Sequence, residues 1–249
     1  MDETTKISLD AHVERLVDET LADYAFRRLR GDLLSNALPP GKRLRVNELQ
    51  ARYDLGLSPL REALLRLATE GLVIAEGQRG FAVPPLSEQE LADLSNTRQR
   101  LEALALRDSI ERGDANWEAG IVAAFHLLSR TPLPTGPGDG EAIAAFERAH
   151  RAFHDALVAG CGSPWMLRIL GQLVDHSERY RRARMFDAKL LARRARNIEG
   201  EHRALMEAAL AHDADTACSL MQEHIAVTME SARRNLRLQQ PQPARSVNP

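Results

Sequence analysis

The sequence predicts a mainly α fold, with an N-terminal winged helix-turn-helix followed by a C-terminal antiparallel all-α helical bundle. Three observations predict it. Leu38–Val83 reads as helix, break, helix and two short strands, with Gly and Pro at the breaks. From Ser87 onward, six apolar-striped segments follow one another with short polar connections. The composition is 44% hydrophobic but only 4% aromatic, and its many Ala, Leu, Arg and Glu residues favour helix.

Taken in order, residues 1–16 read as a polar, mobile arm, and 17–85 as the winged unit. Its first helix is expected over Val17–Ser35, with Leu21, Tyr24, Ala25 and Leu29 on one face. The second is expected over Val46–Arg52, with a break at Asp54–Leu57. Ser58 then reads as the N-cap of a third helix with Pro59 at its first position, where a missing N–H costs little. Leu60, Leu64 and Leu67 form the inner face, and Gly71 ends the helix. Leu72–Ala75 and Phe81–Val83 read as the two strands of a wing, joined by Glu76–Gly80. In such a module the N-terminal end of the last helix enters a major groove of DNA, and the wing reaches a phosphate or a neighbouring groove.

Pro84-Pro85 is a stiff joint, and 86–237 is the bundle. Ser87 and Glu90 have capping-box spacing. Helices are expected near 88–112, 115–130, 141–160, 164–186, 189–212 and 214–237. Residues 131–140 (TPLPTGPGDG) form a loop, and 238–249 a disordered tail.

Composition narrows the class. No apolar run approaches the length of a membrane span, and the N-terminus lacks a signal-peptide core. Cys161 and Cys218 are isolated, which fits reduced thiols in a cytoplasm. The net charge is −2, but residues 25–80 hold ten Lys/Arg against six Asp/Glu. A local basic surface on a near-neutral chain fits a modular nucleic-acid binder.

Pro40-Gly41, Leu44, Glu48-Leu49, Pro59-Leu60-Arg61-Glu62-Ala63-Leu64, Leu67, Glu70-Gly71-Leu72-Val73 and Arg79-Gly80 together resemble the winged helix-turn-helix of GntR-type bacterial regulators. The resemblance assigns Arg61 to a base or phosphate contact. Ser58 is expected to donate to a phosphate, Arg79 to reach a phosphate or the minor groove, and Arg43 and Arg45 to hold the backbone. Asn47 stands where some relatives have arginine and Leu57 where many have a basic residue, so the operator sequence does not carry over.

Residues 88–235 resemble the ligand-sensing FCD domain of the FadR-like branch. The motifs are Arg98 with Glu102, Phe153-His154, Glu201-His202-Arg203, Asp213-Ala214-Asp215 and His224. CGSPW and SERYRR are similar to a carbon-starvation-induced subgroup associated with C4–C5 dicarboxylate or amino-acid breakdown. His150 and His154 lie four apart in HRAFH and so project from one helix face. Imidazoles from three inward-facing helices suit Zn, Ni or a similar divalent ion. The resemblance implies that His154, His202 and His224 are ligands, and places His150 where relatives commonly carry Asp. His150 is then a fourth ligand, an effector contact or a solvent-facing residue. Arg98 is expected to fork a small carboxylate effector or, alternatively, to pair with Glu102 on a solvated face. Arg179 and Tyr180 are further effector candidates.

The resulting expectation is a cytoplasmic, homodimeric repressor that binds a palindromic double-stranded operator and is gated by a small carboxylate or dicarboxylate beside a metal. One alternative keeps the reader and makes the bundle a plain dimerisation scaffold. A helical metalloenzyme is the remote one: HRAFH is similar to HExxH, but Arg151 replaces the general base, while Glu147-Arg148-Ala149-His150 supplies one Glu-x-x-His motif.

Overall fold

The computed structural model describes residues 15–134, 139–185 and 197–239. The chain forms two compact units: one runs to Leu33 and over Ala37–Pro84, the other comprises Leu34–Asn36 and Pro85 onward.

The first unit holds α1 (Leu21–Leu34), α2 (Val46–Tyr53) and α3 (Leu57–Thr69), with strands β1 (Arg43–Leu44), β2 (Ile74–Ala75) and β3 (Phe81–Ala82). Helix α1 starts later than the periodicity predicts. Thr20 Oγ1 accepts the Asp23 N–H at 3.0 Å, so the cap falls at Thr20. Ala25, Leu29 and Leu33, spaced four apart, are fully buried. Leu49 and Tyr53 of α2 and Leu60, Ala63, Leu64 and Leu67 of α3 are buried as well, and α2 packs on α3. Burying each large aliphatic side chain contributes roughly 1.5–3 kcal/mol. The Tyr53 hydroxyl (2.6 Å) and the Arg52 guanidinium (2.8 Å) both donate to Asp32, which pins α2 to α1.

Ser58 is not the N-cap of α3: Gly56 is, and Ser58 and Pro59 lie in the first turn. The first N–H groups of a helix lack intrahelical acceptors, so Pro59 is tolerated there too. Gly71 ends α3 as expected. It sits at φ +73°. Its N–H donates to the Ala68 carbonyl (3.1 Å), and that of Leu72 to the Leu67 carbonyl (3.0 Å). Glycine adopts this left-handed cap without steric cost. The wing differs from the two strands expected. It is a three-stranded antiparallel sheet in the order β1-β3-β2. The extra strand is two residues long, too short to leave a pattern in sequence. The strands themselves are also shorter than predicted, and Gly77–Arg79 forms a single 3-10 turn between β2 and β3.

The second unit holds α4 (Glu88–Arg112), α5 (Ala115–Arg130), α6 (Gly140–Val158), α7 (Pro164–Met185), α8 (Ile198–Leu210) and α9 (Ala214–Gln239). Helix α9 packs on α4, α7 and α8, and α5 packs on α6 and α8. Each of the six helices begins at a side-chain cap: Ser87, Asp114, Asp139, Ser163, Asn197 or Asp213 accepts an N–H of its own first turn. Such caps are worth about 1 kcal/mol each, and they fix where the bundle's connections fall. The predicted capping box at α4 is half made. Ser87 Oγ accepts the Glu90 N–H at 3.3 Å. The Ser87 N–H donates instead to the Tyr180 hydroxyl (3.2 Å), which itself donates to Glu90 Oε2 (2.6 Å). Gly113 marks a close approach: a Cβ there would lie 2.1 Å from the Trp117 ring and 2.6 Å from the Ser109 carbonyl. The Trp117 indole N–H reaches the Ala156 carbonyl at 3.1 Å and ties α5 to α6.

The predicted helix at 189–212 is described only from Ile198, and α9 runs on to Gln239. The expected arm, most of the tail and the centre of the 131–140 loop lie outside the described residues. No described helix is long and apolar enough to cross a membrane.

Candidate metal centre and nucleic-acid face

In α6 the buried positions Ile143, Phe146, Glu147, His150, Phe153, His154 and Leu157 follow at three- and four-residue spacing. Two of these core positions are histidines. The inner stripe of α8 supplies His202 beside Leu205 and Ala209. That of α9 supplies His224 beside Met221 and Ile225. The four rings meet in the bundle. Their centroids lie 4.5 Å (150–154), 4.7 Å (202–224), 5.0 Å (154–224) and 5.1 Å (150–202) apart. One candidate ligand atom from each lies within 4.8 Å of the others, and all four residues are buried. His150 is therefore neither solvent-facing nor apart from the other three.

Burial, reinforced by the neighbouring imidazoles and by Arg98 and Arg181, holds His150 and His154 well below the usual imidazole pKa. Both are neutral near pH 7, the state in which a ring nitrogen offers its lone pair. Glu201 Oε2 lies 3.0 Å from His224 Nδ1. A carboxylate there takes the Nδ1–H and turns Nε2 into the acceptor, as outer partners of metal-bound histidines do. Neither ring nitrogen of His154 makes a hydrogen bond, although both are buried. Leaving such a group unmet costs about 1–3 kcal/mol. A cation bound by the four rings removes that cost, so the donor set fits a divalent transition metal.

Two buried ion pairs flank the rings. Arg98 donates to Glu102 Oε1 at 2.7 Å, and Glu102 Oε2 lies 3.9 Å from His154 Nδ1. The pairing with Glu102 is as the sequence allows, but the face is buried rather than solvated, with both side chains 4% exposed or less. Arg181 donates to Glu147 Oε2 at 2.7 Å, and Glu147 stands one helical turn before His150. Burial opposes the Arg181 charge, but Glu147 outweighs it and raises its pKa. Further out, Arg151 pairs with Asp175.

Arg179 and Tyr180 belong to the same helix as Arg181, α7. Both are buried, and both sit beside Glu90. Glu90 is twelve residues before Glu102 on α4, roughly 18 Å along the axis. The Tyr180 hydroxyl thus turns toward the start of α4, whereas Arg181 of the same polar segment stands beside the histidine stripe of α6. Periodicity could not single out Arg181, because α7 is buried on every side from Ser177 to Arg181. Glu201 belongs to the Glu201-His202-Arg203 motif, but the sequence assigns it no role in the site. Its signal was its place directly before His202.

In the winged unit the predicted contacts are all exposed: Arg43, Arg45 and Asn47 around the start of α2, Ser58 and Arg61 in the first turns of α3, and Arg79 in the wing turn. Arg43 reaches Glu76 only at 3.8 Å, and Arg45 pairs with Glu48 at 3.2 Å. Exposed pairs of this kind are worth about 0–1 kcal/mol and yield to a phosphate. Among the described residues Arg61 and Arg79 make no ion pair, which removes the intrahelical partner that would otherwise account for Arg61.

The comparisons agree with this architecture. The family "Bacterial regulatory proteins, gntR family" matches residues 21–83. The FCD domain family matches residues 93–227, more than half of the chain. The HTH-type transcriptional regulator BphR of Paraburkholderia xenovorans (strain LB400) is 39% identical over 223 residues, covering 90% of this chain and 87% of that one. The HTH-type transcriptional repressor GlaR of Escherichia coli (strain K12) is 36% identical over 200 residues, covering 80% and 90%. Among solved structures, E. coli McbR/YncC has a TM-score of 0.64 at 22% identity, covering 85% and 98%. A GntR regulator from Rhodococcus sp. RHA1 has a TM-score of 0.67 at 17% identity, covering 88% and 99%, and these two show the fold alone. A winged reader joined to a helical bundle, with both family matches in that order, is a DNA-binding transcription regulator and not an enzyme, and the chain belongs to the GntR family with an FCD domain.

Proposed function

We propose that this regulator is a homodimeric repressor whose bundle senses a small carboxylate or dicarboxylate beside a divalent transition metal, Zn or Ni. The observation that carries the reading is the convergence of four buried histidines, one of which has no hydrogen-bond partner at either ring nitrogen. His150, His154, His202 and His224 would hold the ion, with Glu201 orienting His224. When bound, the ion supplies Lewis-acid charge that attracts a carboxylate oxygen. Arg98 grips the effector's carboxylate in a fork, and the surrounding apolar core excludes water from both.

On the DNA side, Arg61 reads a base edge or phosphate from the first turns of α3. Ser58 and Asn47 supply polar contacts, and Arg43, Arg45 and Arg79 hold the backbone. A single reader of this size rarely binds tightly enough alone. Two copies on a palindrome multiply the affinity. The effector shifts DNA binding only by its differential affinity for the two arrangements of the dimer. The domain bounds that go with this reading are an arm to residue 16, a reader over 17–85, a sensor over 86–237 and a tail from 238, in a cytoplasmic protein. The relative GlaR is named a repressor, which supports that polarity.

Elemental analysis of protein purified without a metal-affinity tag tests the reading. About one divalent ion per chain is expected, lost in His154→Ala. Metal-free wild-type protein that also resists loading would contradict it.

A further inference from the structure

We infer that Arg181 is a second carboxylate anchor of the effector site, which makes that site selective for small dicarboxylates over monocarboxylates. The inference rests on the effector reading above and names the ligand class.

The first observation is an unmet donor. Arg181 is 3% exposed and held by one ion pair, from its Nη2 to Glu147. Its Nε–H is buried and has no hydrogen-bond partner. A guanidinium presents its Nε and Nη donors as a planar fork, which a carboxylate fills with two parallel bonds. Glu147 leaves part of that fork open. A buried ion pair retained for stability alone is a weak device, since apolar residues of similar volume often serve as well or better. An incompletely paired one is weaker still.

The second observation is position. Glu147 and His150 share the buried stripe of α6, one turn apart, so the fork of Arg181 stands against the histidine cluster. On another side, Arg98 pairs with Glu102 against His154, with both its Nε and its Nη2 on Glu102 Oε1. The rings are therefore flanked by two guanidiniums, each neutralised by its own glutamate.

The third is charge. An imidazole that binds a metal does so as a neutral donor, and the two flanking Arg–Glu pairs cancel internally. A divalent ion on the rings then keeps its whole double charge. A dianion balances it, whereas a monocarboxylate leaves an uncompensated charge in a buried site. One carboxylate then takes the open Nε–H of Arg181, and the other meets Arg98 in exchange for Glu102.

The test uses the full-length, metal-loaded protein, with calorimetric titration of C4, C5 and C6 dicarboxylates and the monocarboxylates of equal length. Wild type is expected to prefer the dicarboxylate by about tenfold or more, the effect of one charge-assisted hydrogen-bonding group. Arg181→Lys keeps the charge and removes the fork. It should bring the two affinities together by weakening only the dicarboxylate, with metal content unchanged because Arg181 is not a ligand. A merely structural role would weaken both alike. Glu147→Gln frees the fork and should strengthen the dicarboxylate preference, which decides the matter if the lysine variant does not fold. An unchanged preference in both variants overturns the role of Arg181 and leaves the effector reading intact. Wild type that is metal-loaded but binds none of the acids overturns both.

Discussion

The two units handle charge in opposite ways. In the reader the proposed DNA-contacting cations lie at the surface: among the described residues Arg61 and Arg79 make no ion pair, and Arg43 and Arg45 make only exposed ones. In the sensor the functional groups lie inside. Arg98 and Arg181 are almost fully buried and each is matched by a glutamate. The difference teaches what each ligand must do. DNA meets charges that are already solvated and available, so binding adds contacts and displaces counterions. A bundle effector must instead exchange with internal partners, so its binding disturbs the packing of the helices that carry them. That makes the sensor the unit where a small ligand can change conformation.

The largest effect should come from breaking that internal balance. Glu102→Ala leaves the Arg98 guanidinium buried without its partner, which costs about 3–5 kcal/mol. A urea melt of the full chain should show it. A loss below about 1 kcal/mol would mean that the pair is as dispensable as a surface one, and the contrast between the units would fail.

Removing an exposed cation should do the reverse. Arg61→Ala is expected to leave the melting temperature unchanged and to weaken specific DNA binding by about 1–3 kcal/mol per half-site, as loss of one base contact does. Fluorescence anisotropy with operator and scrambled duplexes separates this from a phosphate contact. A uniform loss on both duplexes would assign Arg61 to the backbone.

The capping residues sharpen the comparison at a smaller scale. Ser87→Ala removes the acceptor for the Glu90 N–H and should cost about 1 kcal/mol. The Tyr180 hydroxyl still holds the Ser87 N–H, so Tyr180→Phe should add to that cost rather than duplicate it. A double-mutant cycle by thermal melting checks this.

The smallest effect concerns a surface histidine. Nε2 of His212 lies 3.0 Å from Glu118 and Nδ1 lies 3.0 Å from the Ile110 carbonyl, and both raise its pKa in the folded state. A raised folded value means the interaction contributes in full below the usual imidazole value of about 6.5 and fades as pH rises through the raised one. His212→Ala should therefore lower the melting temperature more at pH 5.5 than at pH 8.5. An equal loss at both would mean that the imidazolium form is not the one held.

Much of this was legible in the sequence where local chemistry decides it. Gly71, the Ser87 cap and the apolar stripes fixed most helix bounds, because capping and periodicity act within a few residues. Strand β1 was not legible, since two residues carry no alternation and its pairing with β3 is a tertiary fact. The start of α3 was misread because Ser58 is a good cap by type, while the backbone caps at Gly56. In the site, the i,i+4 pair His150 and His154 was legible, but the place of His150 inside the ring cluster was not. That depends on how α6, α8 and α9 pack. Arg181 was hidden because a helix buried on all sides gives no stripe to read.

The central claim is that the buried histidine site couples effector to DNA. The most direct test measures affinity for an operator duplex during titration with C4–C6 dicarboxylates, using metal-loaded protein and the same protein stripped by a chelator and dialysed. The acid is expected to change DNA affinity in the loaded protein and to have little effect in the stripped one. An equal response in both, or none in the loaded protein, would contradict it.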